Sequence, residues 1–422
     1  MPVLSERPRW RDTFASLRVP NYRLYATGQI VSTTAQGMQR IAQDWIVLQL
    51  SGNVADVGIT VALQFAPMLV FGLYGGVIAD RYPKRRILQV TQTVTALLAA
   101  TMAVLIITGS IEVWMIWGIA LIGGFATLVD NPARQSFVSE VVGPTLLRNA
   151  LSLNSSTFQL GALIGPALGG VLLSAIGGGW SFAVNALACL GTVYALSRMN
   201  SSALLPAPAA PRHKGQLREG LQYAARKDEI LFTLIVLSSV SLFIYTMPVL
   251  LTAFADNVYR VGPTGYGIFN ALVAVGALGG ALLSTRRTGV SLRTVIIGGA
   301  ILGFVQGVAG LAPQVLIFGV VLIGAGLAQL LYFTASNSLV QMSTNIAIRG
   351  RVMGVFVLIQ LGGQSIGGPI MGAIVDAFGP HVGMIVSGAV PMLTALVAGA
   401  VLVKRRGGSI VAIARRAAHL GA

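Results

Sequence analysis

The chain has 422 residues, of which 55% are hydrophobic and only 10% charged, and its mean hydropathy is +0.77. Soluble domains carry about 25% charged residues, so this composition cannot supply a polar surface for a body of such length; a soluble multidomain enzyme is excluded and the bilayer is the expected solvent. The net charge of +16 comes from 29 basic against 13 acidic residues, and the basic ones lie between apolar stretches rather than in one patch, which argues against nucleic acid as a partner.

Residues 1–21 hold Arg7, Arg9, Arg11 and Arg18 without an apolar core, the pattern of a cytoplasmic arm rather than a cleaved signal. Twelve apolar stretches follow, each near the ~20 residues that cross about 30 Å of hydrocarbon. Six lie at about 22–50, 54–79, 87–108, 112–133, 150–176 and 178–198 and form a first bundle, 22–198. The connection 199–229 opens on a Ser/Pro/Ala-rich run and turns basic and amphipathic, as a cytoplasmic linker with a surface helix does. Six more, at about 230–255, 264–285, 293–312, 314–338, 352–377 and 381–403, form a second bundle, 230–403, before a basic cytoplasmic tail, 404–422. This predicts an all-α membrane protein of twelve transmembrane helices in two six-helix bundles. With both termini cytoplasmic, 27 of the 29 basic residues fall on the internal side; Arg260 is external and Arg40 lies within the first span. The expected location is the cytoplasmic (inner) membrane, crossed many times.

The halves repeat each other. Leu121-Ile122-Gly123-Gly124 returns as Leu322-Ile323-Gly324-Ala325, Arg148 as Arg351, and Gly165-Pro166-x-x-Gly169 as Gly368-Pro369-x-x-Gly372, at offsets of 201 to 203. A parallel six-span repeat predicts a transporter with its substrate site between the halves near the midplane.

Between spans 2 and 3 stands Gly76-Val-Ile-Ala-Asp80-Arg81-Tyr-Pro83-Lys84-Arg85-Arg86. It resembles the loop motif G-x-x-x-D-R-x-G-R-R of the major facilitator superfamily, with Pro83 in place of the usual glycine. The resemblance implies that Gly76, Asp80, Arg81, Lys84, Arg85 and Arg86, with Arg134, act as a cytoplasmic latch made and broken during alternating access. Gly161, Gly165, Pro166, Gly169 and Gly170 in span 5 resemble the superfamily's antiporter motif, echoed by Gly368, Pro369 and Gly372 in span 11. Glycines four apart make a smooth strip for close helix approach, and proline permits a bend; as a motif the strip implies export. Asp130-Asn-Pro-Ala-Arg134-Gln-Ser-Phe, the run from Arg148 to Asn154, and Asn21-Tyr-Arg-Leu-Tyr-x-x-Gly-Gln29 are similar to the branch containing the enterobactin exporter and related multidrug efflux proteins, over nearly the whole chain. From Trp114 to Phe125, span 4 lacks the arginine of many proton-coupled drug antiporters, so proton coupling does not carry over from that residue.

Charges inside hydrocarbon cost about 2.5–3.5 kcal/mol on insertion scales, so those present are functional candidates. Arg40 and Asp44 are four apart on one face of span 1 and can pair; Gln29, Thr33, Gln36 and Arg40 form a polar stripe on that helix, expected to face a wet cavity. Two readings of Asp44 stand: a structural ion pair with Arg40, or a proton carrier whose charge biases two access states. Asp130 is a second proton or gating candidate, with a helix-end ion pair to Arg134 or Arg148 as the alternative. Substrate-cavity candidates are Gln29, Thr33, Gln36, Asn154, Phe158, Tyr245, Tyr332, Gln360 and Gln364, a mixture suited to an amphipathic organic molecule.

No phosphate-binding loop motif occurs, and His213, His381 and His419 are dispersed, so neither ATP, a metal nor another cofactor is expected, and clustered nucleophiles for an enzyme are absent. The expected function is secondary export of a small amphipathic molecule such as a drug or siderophore, exchanged for protons, with membrane lipids as surroundings and a monomer as the state the resemblance implies. A lipid or lipid-precursor translocase on the same scaffold is the alternative.

Overall fold

The computed structural model describes residues 14–205, 216–284, 289–345 and 348–405. Parts of the N-terminal arm (1–13), the linker (206–215, with His213) and the tail (406–422, with His419) lie outside the described residues. Among the described residues the chain is helical, with no strand.

In chain order the helices are α1 (Pro20–Ser51), α2 (Val54–Arg81), α3 (Lys84–Ile107), α4 (Val113–Ile176), α5 (Gly178–Arg198), α6 (Gln216–Arg226), α7 (Asp228–Phe243), α8 (Met247–Ala253), α9 (Gly262–Ser284), α10 (Leu292–Ala309), α11 (Val315–Ser343), α12 (Arg349–Phe378) and α13 (Pro380–Arg405). Ten segments among the described residues are long and apolar enough to cross a membrane. One of them, α4, is 64 residues long and is two spans in register, broken where Gly143 takes a left-handed φ of 69° ahead of Pro144. With α1, 32 residues long but too rich in polar side chains to count on apolarity alone, the total reaches the twelve expected spans.

Two stretches differ from the sequence reading. The connection expected at 134–149 is helical apart from Gly143, so spans 4 and 5 are joined by helix rather than by a loop. The seventh span is broken: α7 ends at Phe243, α8 begins at Met247, and Tyr245 lies in the gap. Pro248, seated in the first turn of α8, lacks the N–H that would continue the ladder, so a uniformly apolar run is nonetheless discontinuous.

The chain separates into two compact units, one of Met1–Ile46, Val70–Pro211 and Gly262–Ala271, the other of Val47–Leu69, Arg212–Val261 and Leu272–Ala422. In the first, Tyr22, Tyr25, Phe137, Val138 and Leu196 close a core between the starts of α1 and α3 and the middle of α4, and the Tyr22 hydroxyl donates to the Ala150 carbonyl at 2.8 Å. In the second, α7, α10, α11, α12 and α13 bury Val236, Leu237, Tyr332, Phe356 and Ala395 together, and α6 adds Ala224. There Glu219 on α6 pairs with Arg351, so the amphipathic part of the linker is held to α12.

The repeat is visible in the backbone. Gly177 ends α4 with φ 92° and Gly379 ends α12 with φ 86°, each in a left-handed turn that a side chain would strain, and each leads directly into the last helix of its half. Within the first unit α3 packs extensively on α5, and within the second their counterparts α10 and α13 do the same.

Candidate functional site

In the first unit two of the four basic residues of the loop motif, Lys84 and Arg85, are held by partners of their own unit. Lys84 pairs with Glu140 of α4 at 3.1 Å, both largely buried. Arg85 donates to the carbonyls of Leu196 at 2.7 Å and Ser197 at 2.8 Å and bonds Ser201, placing its charge on the negative C-terminal end of α5. Gly76 and Asp80 are half-buried, while Arg81 and Arg86 are exposed. Glu140, the partner of Lys84, was missed by the motif because it lies 56 positions away.

Asp130 lies in a buried polar cluster. It accepts from Thr91 Oγ1 at 2.7 Å, Gln92 Nε2 at 3.2 Å and Arg134 Nε at 2.8 Å, and Arg134 also bonds the Gln29 side-chain carbonyl. Of the two partners considered for Asp130, the structure supplies Arg134; Arg148 is exposed. Gln29 belongs to this cluster of α1, α3 and α4.

The stripe on α1 is graded. Gln29 is buried, Thr33 is half-buried with its hydroxyl on the Gln29 carbonyl, and Gln36 and Arg40 are exposed, Gln36 donating to Ser32 Oγ at 3.1 Å. One turn beyond Arg40, Asp44 is only 2% exposed and accepts a 2.7 Å hydrogen bond from the hydroxyl of Tyr266 on α9. Tyr266 is itself fully buried and stacks on Trp45, ring centres 6.3 Å apart. No motif flagged Tyr266; a tyrosine four residues into an apolar helix reads as packing. Asn154 is half-buried and Phe158 exposed.

The glycine strip of α4 is packed on both sides within this unit. A methyl built on Gly161 would lie 2.6 Å from Thr33 Oγ1, on Gly165 2.6 Å from the Thr34 carbonyl and on Gly169 2.7 Å from Met38 Cα. On the other side a methyl on Gly170 would lie 2.7 Å from the Pro263 carbonyl, and one on Gly267 2.5 Å from that of Pro166. Ser174 and Thr264 share a hydroxyl hydrogen bond of 2.7 Å one turn further on.

The second unit repeats this arrangement around α12. Methyls on Gly363 and Gly367 would strike Ser241 and the Leu242 carbonyl of α7; methyls on Gly368 and Gly372 would strike the Gly58 carbonyl at 2.5 Å and Ala55 Cα at 2.5 Å, both on α2. Where the first unit has Ser174, this one has Asp376, whose two carboxylate oxygens accept the Val54 and Ala55 N–H groups at 2.9 and 2.8 Å. Asp376 thus caps the N-terminus of α2 from another helix, satisfying two of its four free donors.

Also in the second unit, Tyr332 is 1% exposed and Ser336 wholly buried, and Tyr245 lies half-buried in the break of the seventh span. The three hydroxyls have no hydrogen-bond partner among the described residues. Gln360 is half-buried and its carbonyl accepts from Ser241 at 2.6 Å; Gln364 is buried and reaches the same carbonyl at 3.4 Å. Among the described residues no three His, Cys, Asp or Glu side chains converge as metal ligands would.

Comparison with known proteins agrees over nearly the whole chain. A family model described as transmembrane secretion effector matches residues 11–415. The enterobactin exporter EntS of Citrobacter koseri is 25% identical over 382 residues, covering 87% of this chain and 88% of that one, and EntS of Escherichia coli O157:H7 is 24% identical over 367 residues, covering 84% and 85%. Among solved structures, the inward-facing, unoccupied bacterial homolog of the human lysosomal transporter Spinster superposes with a TM-score of 0.70 at 16% identity, covering 93% of this chain and 96% of that one. The nucleoside transporter NupG superposes with a TM-score of 0.71 at 12% identity, covering 90% and 98%. At such identities the structural likeness speaks for the fold.

Proposed function

We propose a function from one premise: the chain belongs to the transmembrane secretion effector family of the major facilitator superfamily. It exports a small amphipathic organic molecule, of the siderophore or drug kind, by alternating access and in exchange for protons. It works as a monomer in the cytoplasmic membrane with both termini inside. The moving bodies are the sequence halves 22–198 and 230–403, joined by the linker 199–229. The enterobactin exporters that align over most of the chain support export and a siderophore-like substrate.

The observation that carries proton exchange is the hydrogen bond from Tyr266 to Asp44. Asp44 is buried, where charge is costly, and its bond joins a helix of the first half of the sequence to one of the second. An ionised Asp44 accepts from Tyr266 and attracts Arg40; a protonated one loses that attraction, so proton uptake changes the energy of the contact that alternating access has to break. Asp130 is kept for structure, since Arg134, Thr91 and Gln92 already occupy it. On the substrate side, the unpartnered hydroxyls of Tyr245, Tyr332 and Ser336 beside a broken helix supply orienting groups in apolar walls, the composition that suits an amphipathic ligand. Gln36, Arg40, Asn154, Phe158, Gln360 and Gln364 are the further candidates for contact.

The test is uptake into inside-out vesicles reconstituted with the full chain under an imposed pH gradient, using catecholate siderophores and cationic dyes. Gradient-driven accumulation of one class is expected. Asp44→Asn should abolish it at unchanged protein abundance while leaving downhill exchange measurable, and Tyr266→Phe should shift its pH dependence without abolishing it. Full gradient-driven transport by Asp44→Asn would remove this residue from the coupling step.

A further inference from the structure

The break at Gly143 deprives one carbonyl of its helical donor. In an unbroken helix the Glu140 carbonyl takes the N–H four residues on, but that residue is Pro144, which has none. A donor arrives from the linker instead: the Leu205 N–H reaches the Glu140 carbonyl at 2.8 Å. The Leu205 side chain lies against the break itself, since a methyl built on Gly143 would stand 3.0 Å from Leu205 Cδ1. Leu205 is 57% exposed, so burial of its side chain is not what holds it there.

The residues before Leu205 are fixed to the same unit. Asn200 and Asn21 of α1 exchange two hydrogen bonds: the Asn21 side-chain amide donates to the Asn200 carbonyl at 2.9 Å, and the Asn200 N–H donates to Asn21 Oδ1 at 2.9 Å. Ser201 bonds Arg85 of the loop motif, and Leu204 packs against the same core as Leu146 and Leu147 of α4. Glu140 joins this strap to the motif. Its carbonyl takes the linker, while its carboxylate pairs with Lys84 at 3.1 Å, the two side chains being only 6% and 11% exposed. An ion pair so shielded from water is favourable only in good geometry, and that geometry follows the last helical turn before Gly143.

We propose that Asn200–Leu205, the first residues of the linker, are a positioning element of the loop motif: the Leu205 N–H fixes Glu140, and Glu140 fixes Lys84. The linker is in this respect part of the motif's machinery and not only a tether between halves. Its consequence for export rests on the motif acting as a latch; the placement of Lys84 does not, and can be read without transport.

The test is the rate at which an amine-reactive reagent modifies each lysine of the full chain in mild detergent, followed by mass spectrometry. Leu205→Pro deletes the one donor. Leu204 is already extended, with ψ 143°, as the residue before a proline must be, so the change strains the backbone little. Lys84 should then react about tenfold faster, the order of effect of taking a hydrogen bond from a buried acceptor. Lys227, whose Nζ donates to the Ser343 carbonyl at 2.9 Å in the second unit, should keep its rate. Leu205→Ala retains the N–H and should leave Lys84 near its wild-type rate. Should Leu205→Pro not fold, Asn21→Ala removes both bonds that seat Asn200 and should speed Lys84 in the same direction. Three results would overturn the proposal: an unchanged Lys84 rate in the variant that folds, an equal rise at Lys227, which would mean general loosening, or an equal rise in Leu205→Ala, which would assign the effect to the side chain. Faster modification of Lys84 with unchanged export would keep the positioning and retire the latch.

Discussion

Asp44 and Asp376 sit at opposite extremes of exposure, yet each accepts hydrogen bonds from a helix of the other half of the sequence. Asp44 takes the Tyr266 hydroxyl in a buried setting; Asp376 is exposed and takes two backbone N–H groups of α2. The second is the plainer in physics. A carboxylate offers an acceptor to each of two adjacent donors and complements the positive end of the helix, whereas an amide offers only one acceptor atom. Asp376→Asn is therefore expected to cost about 1 kcal/mol of stability, read as a lower thermal midpoint in detergent. Asp44 was legible in the sequence because it is a charge inside an apolar stretch. Asp376 was not, because an acid near the end of a span reads as solvated, and only the fold brings Val54 to it across more than 300 positions. Tyr266, Glu140 and the Arg134–Gln29 contact were hidden for the same reason: each depends on a partner at long sequence separation.

At the scale of elements, periodic features transferred from sequence to structure and interrupted ones did not. The strips at Gly161–Gly170 and Gly368–Gly372 are glycines because backbone meets backbone on them: Gly165 on Gly37, Gly368 on Gly58, Gly267 on Pro166. Spacing alone predicts close approach, and here it reports both partners of each strip, one on the first helix of its own half and one on a helix of the other. The breaks were less visible. Pro248 lies in a continuous apolar run, so hydropathy shows one span where the backbone makes α7, a gap at Tyr245 and α8. Gly143 conversely interrupts a stretch that polarity marks as a loop but hydrogen bonding keeps helical. The strips carry a prediction about conformation rather than stability alone. Gly368→Val places side-chain carbon where the Gly58 carbonyl now lies, and overpacking of this kind costs about 1–3 kcal/mol. Because the clash exists only while α2 and α12 are in contact, the variant should populate the separated arrangement, seen as increased labelling of a cysteine placed at Ala55. The matching test on the other strip, Gly267→Val with a cysteine at Thr264, should give the same direction of change.

For the molecule as a whole, the repeat makes a stronger demand than either contact does by itself. In the first unit α4 holds the start of α9 through glycine strips and the Ser174–Thr264 hydroxyls; in the second, α12 holds the start of α2 through glycine strips and Asp376. These are equivalent positions in the two halves of the repeat. A motion that keeps the symmetry of the repeat opens both contacts together, whereas opening one without the other would leave its twin fixed. Locking either contact should therefore arrest export completely, not by half. The 2.7 Å between the Ser174 and Thr264 hydroxyl oxygens places their Cβ atoms near enough for a disulfide to form with little backbone movement. In a background with Cys189→Ala, so that the buried native thiol takes no part, Ser174→Cys with Thr264→Cys should lose transport on oxidation and regain it on reduction. Retention of about half the transport rate by the oxidised pair would mean that the two contacts open independently, and that the symmetry of the fold is not a symmetry of its motion.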